Sequence, residues 1–131
     1  MTKKIFVVGI LVALFLLFAA KRLGGIAEEP KKLTVTSGSF KDGDFIPREF
    51  TCDADDKTGI SPEIVWAGAP ENTVSFVIIA YDPDSSGSIW THWILYNIPA
   101  KYTVVPANDV FITTYAKYGI NSWIKPIYQG P

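Results

Sequence analysis

The sequence predicts a mainly β domain of two packed sheets, set behind an apolar N-terminal segment. Three observations carry this. After residue 30 no stretch keeps a helical period of apolar residues. The apolar residues there fall in short runs rich in β-branched and aromatic side chains. Turn residues separate the runs, and all nine prolines lie at residue 30 or beyond, where they fit loops and strand edges.

The chain has 131 residues, enough for one domain. Lys3 and Lys4 precede an uninterrupted apolar run from Ile5 to Ala20, and Lys21 and Arg22 follow it. As a helix those 16 residues rise about 24 Å, short of the ~30 Å hydrocarbon core of a bilayer. Gly25, Ile26 and Ala27 then offer small residues suited to cleavage. Residues 1–27 are therefore expected to be a signal peptide or a membrane anchor, and the protein exported or membrane-anchored, with its domain extracytoplasmic. Residues 28–32 form a charged linker containing Pro30.

Beyond residue 27 there are 8 basic and 13 acidic side chains, a formal net charge of −5. With no basic stripe to neutralise phosphates, nucleic acid is excluded as an expected partner. Cys52 is the only cysteine, so there is neither a disulfide framework nor a Cys-x-x-Cys metal site. No motif activates it as a nucleophile, and it reads as a small buried hydrophobe.

The domain is expected over residues 33–131. Its extended pieces are Leu33 to Ser37, Asp44 to Phe50, Glu63 to Trp66, Val74 to Tyr81, Trp93 to Ile98 and Val110 to Tyr115. Turn clusters at 41–44, 53–59 and 67–70 divide them. Asp53, Asp55 and Asp56 in the second cluster loosely follow a calcium loop. Lys57 stands at a ligand position and the closing glutamate is absent, so the cluster reads as a solvated acidic turn.

Val74 to Tyr81 is apolar on both alternating faces except at Ser75, as expected of a central strand covered on both sides. Pairing it antiparallel with Trp93 to Ile98 in a simple register sets Ala80 opposite Ile94 and Asp82 opposite His92. The only histidine would then meet Asp82 and Asp84 at the rim, between the indoles of Trp90 and Trp93. Two nearby carboxylates would favour the imidazolium and orient it. Such a cluster can grip an anionic group through His92 and an amine or hydroxyl through a carboxylate. There is no Gly-x-Ser-x-Gly elbow and no Ser-His-Asp order.

Asp82-Pro83-Asp84, a short loop, and His92-Trp93-Ile94-Leu95-Tyr96-Asn97-Ile98-Pro99 together resemble the phosphatidylethanolamine-binding proteins, in particular their bacterial and archaeal Raf kinase inhibitor-like branch. Phe50-Thr51-Cys52-Asp53, Ser61-Pro62 and Trp66 upstream fit the same family, as do Gly119-Ile120-Asn121-Ser122 and Tyr128-Gln129-Gly130-Pro131 downstream. The resemblance implies a β-sandwich with a small pocket for anionic, phosphate-bearing groups, lined by Asp82 and His92 and walled by Trp90, with Asp84 beside them. It implies a non-enzymatic binding protein without a cofactor. The expected partners are a small anionic or phospholipid head-group ligand and a kinase or protease target that the protein inhibits or scaffolds.

Two departures stand out. Ser85-Ser86 follows the aspartates where the family continues with Ala-Pro, which frees the loop from a proline. The sequence ends at Gly130-Pro131, where relatives continue into a turn and a strand carrying a second histidine and a tyrosine, so the C-terminal portion of the family domain is expected to be missing. Two other readings stay open: a protease-inhibitor or protein-interaction module without a small ligand, and a small hydrolase using His92 and Asp82 as an acid-base pair.

Overall fold

Two short β-branched runs come together first across a long sequence gap. In the computed structural model, which describes residues 32–131, Thr34–Thr36 (β1) pairs antiparallel with Ile64–Ala67 (β2), and Val104–Val105 (β5) pairs with the other side of β2. Ser75–Asp82 (β3) and Trp90–Pro99 (β4) form a long antiparallel pair, and Lys117–Tyr118 (β6) adds to the far edge of β4. The result is two three-stranded sheets, as the mainly β sandwich predicted. The signal peptide or anchor expected over residues 1–27 and most of the linker lie outside the described residues.

One apolar core joins the sheets. Ile64, Trp66 and Val105 from the first meet Phe76, Ile78, Ala80, Trp93, Leu95 and Ile98 from the second. Trp66 packs edge-on against Phe76 with ring centroids 5.1 Å apart, and both side chains are essentially inaccessible. Such a pair adds about 0.5–1.5 kcal/mol to what its burial contributes.

Four expectations need correction. Among the described residues β3 is not a central strand: it pairs only with β4, which takes the middle place. Phe76, Ile78 and Ala80 are buried, but Val77, Ile79 and Tyr81 on the opposite face are only half-buried. The stretches 44–50 and 110–115 are not strands. Each ends in a single 3-10 turn, Arg48–Phe50 and Ile112–Thr114, because local bonds compete with a ladder. Asp109 Oδ1 accepts from the Phe111 N–H at 2.9 Å, Thr114 Oγ1 donates to the Phe111 carbonyl at 2.7 Å, and Phe50 N–H donates to Pro47 at 2.9 Å. The two-residue strands β5 and β6 were not foreseen, being too short for alternation to register. Cys52 is half-buried rather than buried, and its N–H donates to the Pro131 carbonyl at 2.9 Å.

The register of the β3–β4 pair also departs from the expectation. Ser75 faces Pro99 and Phe76 faces Ile98, but then Ile78 faces Leu95, Ala80 faces Trp93, Tyr81 faces Thr91 and Asp82 faces Trp90. Two bulges account for the slip, each adding a residue to β4. At the first, Tyr96 and Asn97 together oppose Val77, and Asn97 takes φ 59°, a left-handed conformation that asparagine tolerates better than most residues. At the second, His92 is the extra residue between Thr91 and Trp93.

Candidate functional site

The second bulge places the histidine. Along a regular strand His92 and Trp93 would point to opposite faces, with only one of them inward. Here the extra residue lets both be buried, Trp93 completely and His92 at 3% exposure.

A C-terminal segment then clamps the bulge. Gln129 N–H donates to the His92 carbonyl at 3.1 Å, and His92 Nδ1 lies 2.9 Å from the Gln129 carbonyl oxygen. A carbonyl oxygen only accepts, so Nδ1 carries a proton and the ring orientation is set. Ser122 N–H donates to the Thr91 carbonyl and Thr91 N–H to Ser122 Oγ, both at 2.9 Å.

Asn121 shapes the loop between these contacts. It is buried, its Oδ1 accepts from the Trp123 and Lys125 N–H groups at 3.0 Å, and its Nδ2 donates to the Ile127 carbonyl at 3.1 Å. One side chain thereby satisfies three backbone groups of a loop with no ladder of its own. The loop presents Trp123, whose ring lies 5.2 Å from both the His92 ring and the Trp90 ring, edge-on to the latter.

The end of the segment is anchored on the far loop. Tyr128 packs edge-on against Trp93 at 5.7 Å and donates its hydroxyl to the Phe50 carbonyl at 2.5 Å. Burial pushes its phenol well above the ordinary tyrosine range. Gly130 N–H donates to Thr58 at 2.7 Å, and a Cβ at Gly130 would stand 2.5 Å from the Phe50 carbonyl oxygen, so only glycine allows the approach.

Asp82 does not face His92 in the ladder; its partner is Trp90. Its Oδ1 accepts from the Asp84 N–H at 2.8 Å, which rigidifies the turn out of β3, while Asp84 itself is exposed. Ser85 Oγ donates to the Ser88 carbonyl and closes that loop without the family's proline. Asp82, Asp84, Trp90 and His92 thus all lie at the β3–β4 rim, with Asp82 opposite Trp90 in the ladder and the Trp123 ring between those of Trp90 and His92. Sequence reasoning missed Trp123 as a wall and the Gln129 carbonyl as the orienting group. Both lie in motifs that supported the resemblance, but a backbone carbonyl leaves no signature in side-chain pattern.

Two depressions of about 590 and 690 Å³ lie elsewhere, on either side of Arg48, one reaching Ile60 and the other Phe45 and Lys57. The Arg48 guanidinium is already paired with Asp55 at 2.9 Å, and both side chains are open to solvent. Such a pair contributes little and leaves no buried group in need of a ligand. The His92 rim, with its buried and oriented imidazole, is the better candidate. Among the described residues no three His, Cys, Asp or Glu side chains are placed to hold a metal ion.

Comparison with known proteins agrees with this architecture. The family model described as phosphatidylethanolamine-binding protein matches residues 36–131. A UPF0098 protein of Aquifex aeolicus is 39% identical over 125 residues, covering 94% of this chain and 67% of its own length. Escherichia coli YbhB, also a UPF0098 protein, is 39% identical over 77 residues, or 56% of this chain and 49% of YbhB.

Among solved structures, Escherichia coli YbcL, described as a new member of the mammalian PEBP family, superposes with a TM-score of 0.66 at 34% identity, over 76% of this chain and 65% of YbcL. The Chlamydia trachomatis homologue CT736 superposes with a TM-score of 0.67 at 27% identity, over 77% and 65%. The chain spans between about half and two thirds of the length of these relatives. On its sequence and on its fold, the chain belongs to the phosphatidylethanolamine-binding protein family.

Proposed function

We propose that this chain is a non-enzymatic binding protein whose β3–β4 rim takes a small anionic, phosphate-bearing ligand. The observation that carries the reading is the bulge at His92, which buries the imidazole and ties Nδ1 to the Gln129 carbonyl. A strand gives up regular pairing most readily where re-aiming one side chain matters. In its imidazolium form the ring carries a positive charge that attracts an anion. Asp82 accepts from an amine or hydroxyl of the same ligand, and Trp90 and Trp123 wall it. The exported or membrane-tethered setting expected from residues 1–27 belongs to the same reading.

The hydrolase alternative is less well supported. The position next to Nδ1, which an acid-base triad gives to a carboxylate, is taken here by a backbone carbonyl. A protein-interaction reading, with a kinase or protease as target, draws support from Ile89, Ile120 and Ile124, which are exposed in the loops around the rim.

The test is a proton-nitrogen NMR titration with phosphorylethanolamine and inorganic phosphate, following the indole N–H signals of Trp90 and Trp123. Saturable shifts are expected, with His92→Ala weakening the affinity by roughly tenfold or more in a chain that stays folded. Unchanged affinity in that variant removes the site assignment. A protein target that still binds the Asp82→Ala, His92→Ala double variant supports the interaction reading instead.

A further inference from the structure

We propose that the free edge of β3 docks a second copy of this chain: the two β3 strands pair antiparallel about a two-fold axis at Ile78, joining two three-stranded sheets into one of six strands. The proposal does not depend on the ligand reading.

Natural sheets keep an open edge short, or guard it with lysine, proline, a bulge or a covering segment. The edges formed by β1, β5 and β6 are three, two and two residues long. β3 is the exception. It has eight residues without lysine, proline or glycine, and both bulges put their extra residue in β4 instead. Among the described residues no backbone group of 75–82 bonds to anything but β4. Val77, Ile79 and Tyr81 on the outer face are half-buried, and Val74 at the start of the strand is 81% exposed.

The direction of the backbone groups selects the register. Ser75 faces Pro99, which has no N–H to give, and the bond from the Ala100 N–H to the Val74 carbonyl lies just beyond. The N–H and carbonyl of Ser75 therefore point away from β4, and alternation along β3 turns those of Val77, Ile79 and Tyr81 the same way. An axis at Ile78 sets Ser75 opposite Tyr81 and Val77 opposite Ile79 of the other copy. Each outward group then meets an outward group, and about eight hydrogen bonds form. Moving the axis one residue either way leaves Ser75 or Tyr81 unmatched.

The same register sets Phe76 against the small Ala80 and keeps the two Asp82 carboxylates at opposite ends, whereas parallel pairing would set them side by side. The paired edge is about 24 Å long and with its flanking side chains offers roughly the 1,000 Å² at which specific association begins. The dimer is therefore weak and concentration-dependent.

The test is amide hydrogen exchange on the 131-residue chain, in a detergent that keeps residues 5–20 soluble, with sedimentation velocity alongside. As concentration rises roughly a hundredfold, exchange at Ser75, Val77, Ile79 and Tyr81 is expected to slow by about tenfold, while Phe76, Ile78 and Ala80, turned toward β4, hold their rates. Val77→Lys and Ile79→Glu, both at half-buried positions, each weaken self-association by roughly tenfold. An equal mixture of the two associates more tightly than either alone, because position 77 of one copy lies against position 79 of the other.

Outward amides that exchange freely at every concentration overturn the proposal. So does protection that never varies with concentration, which shows the edge covered by the chain's own residues. A dimer unchanged in both variants lies on another surface and overturns it too, as does a mixture no tighter than its components. Should either variant fail to fold, the alternating exchange pattern of the unaltered chain decides by itself.

Discussion

The two bulges of the β3–β4 pair are built alike and maintained differently. Each adds one residue to β4, yet the first turns Asn97 out to solvent and the second brings His92 in. Asn97 meets the local demand with its own backbone, adopting φ 59°. His92 requires a second segment: the turn around Asn121 and the irregular run to Gly130 supply the hydrogen bonds that the interrupted ladder gives up. A bulge that only reshapes a strand can be local, whereas one that buries a polar ring needs tertiary support, since a buried donor must find an acceptor.

That contrast is most exposed to test at Asn121. Asn121→Ala is expected to destabilise the domain by about 2–4 kcal/mol in denaturant unfolding, because three backbone groups lose their partner at once. Hydrogen exchange should speed up at the Thr91 and Gln129 amides while the Asn97 end keeps its protection. Equal loosening at both ends would show that the two bulges do not depend on separate supports.

A smaller effect is expected at Tyr128, which links the clamp to Phe50. Tyr128→Phe removes one buried hydrogen bond, a loss of about 1 kcal/mol near neutral pH. Its phenol is raised by burial from an ordinary value of 10.0, so the sign of the pH dependence follows. Below pH 10 folded and unfolded chains both hold the proton and the contribution is complete. Above it the unfolded chain releases the proton first, and stability falls as pH rises. Thermal unfolding between pH 9 and 11 is expected to show a shallower decline in Tyr128→Phe, with Tyr115 and Tyr118, also raised by burial, accounting for what remains.

The smallest change belongs to the self-sufficient bulge. Asn97→Ala is expected to cost about 1 kcal/mol, the penalty of a left-handed residue without asparagine's tolerance, and Asn97→Gly a few tenths at most. Phosphorylethanolamine titration of either variant should match the wild type. A weakened affinity would show that the two ends of β4 communicate.

Much of this could be read from side-chain pattern. Val74 to Tyr81 and Trp93 to Ile98 declared themselves as strands because β-branched and aromatic residues crowd them, and β3 and β4 contain nearly all of both runs. Asp82, Asp84, Trp90 and His92 were legible as one rim because a hairpin brings the ends of its strands together whatever the register. The register itself was not legible. Alternation assumes one residue against one, and each bulge breaks that rule with one extra residue in β4, at the first through the left-handed φ of Asn97, a residue ordinary in sequence.

By itself the sequence determined the mainly β character, the acidic surface, the family and which residue types gather at the rim, because these follow from composition and from contacts within one hairpin. Only the tertiary structure decided that β4 rather than β3 is the middle strand, that Asp82 faces Trp90, and that His92 is held by Gln129 from 37 residues away. Backbone groups make that last contact in part, and every residue but proline carries the same ones. Which of them meet depends on how the whole chain closes on its core.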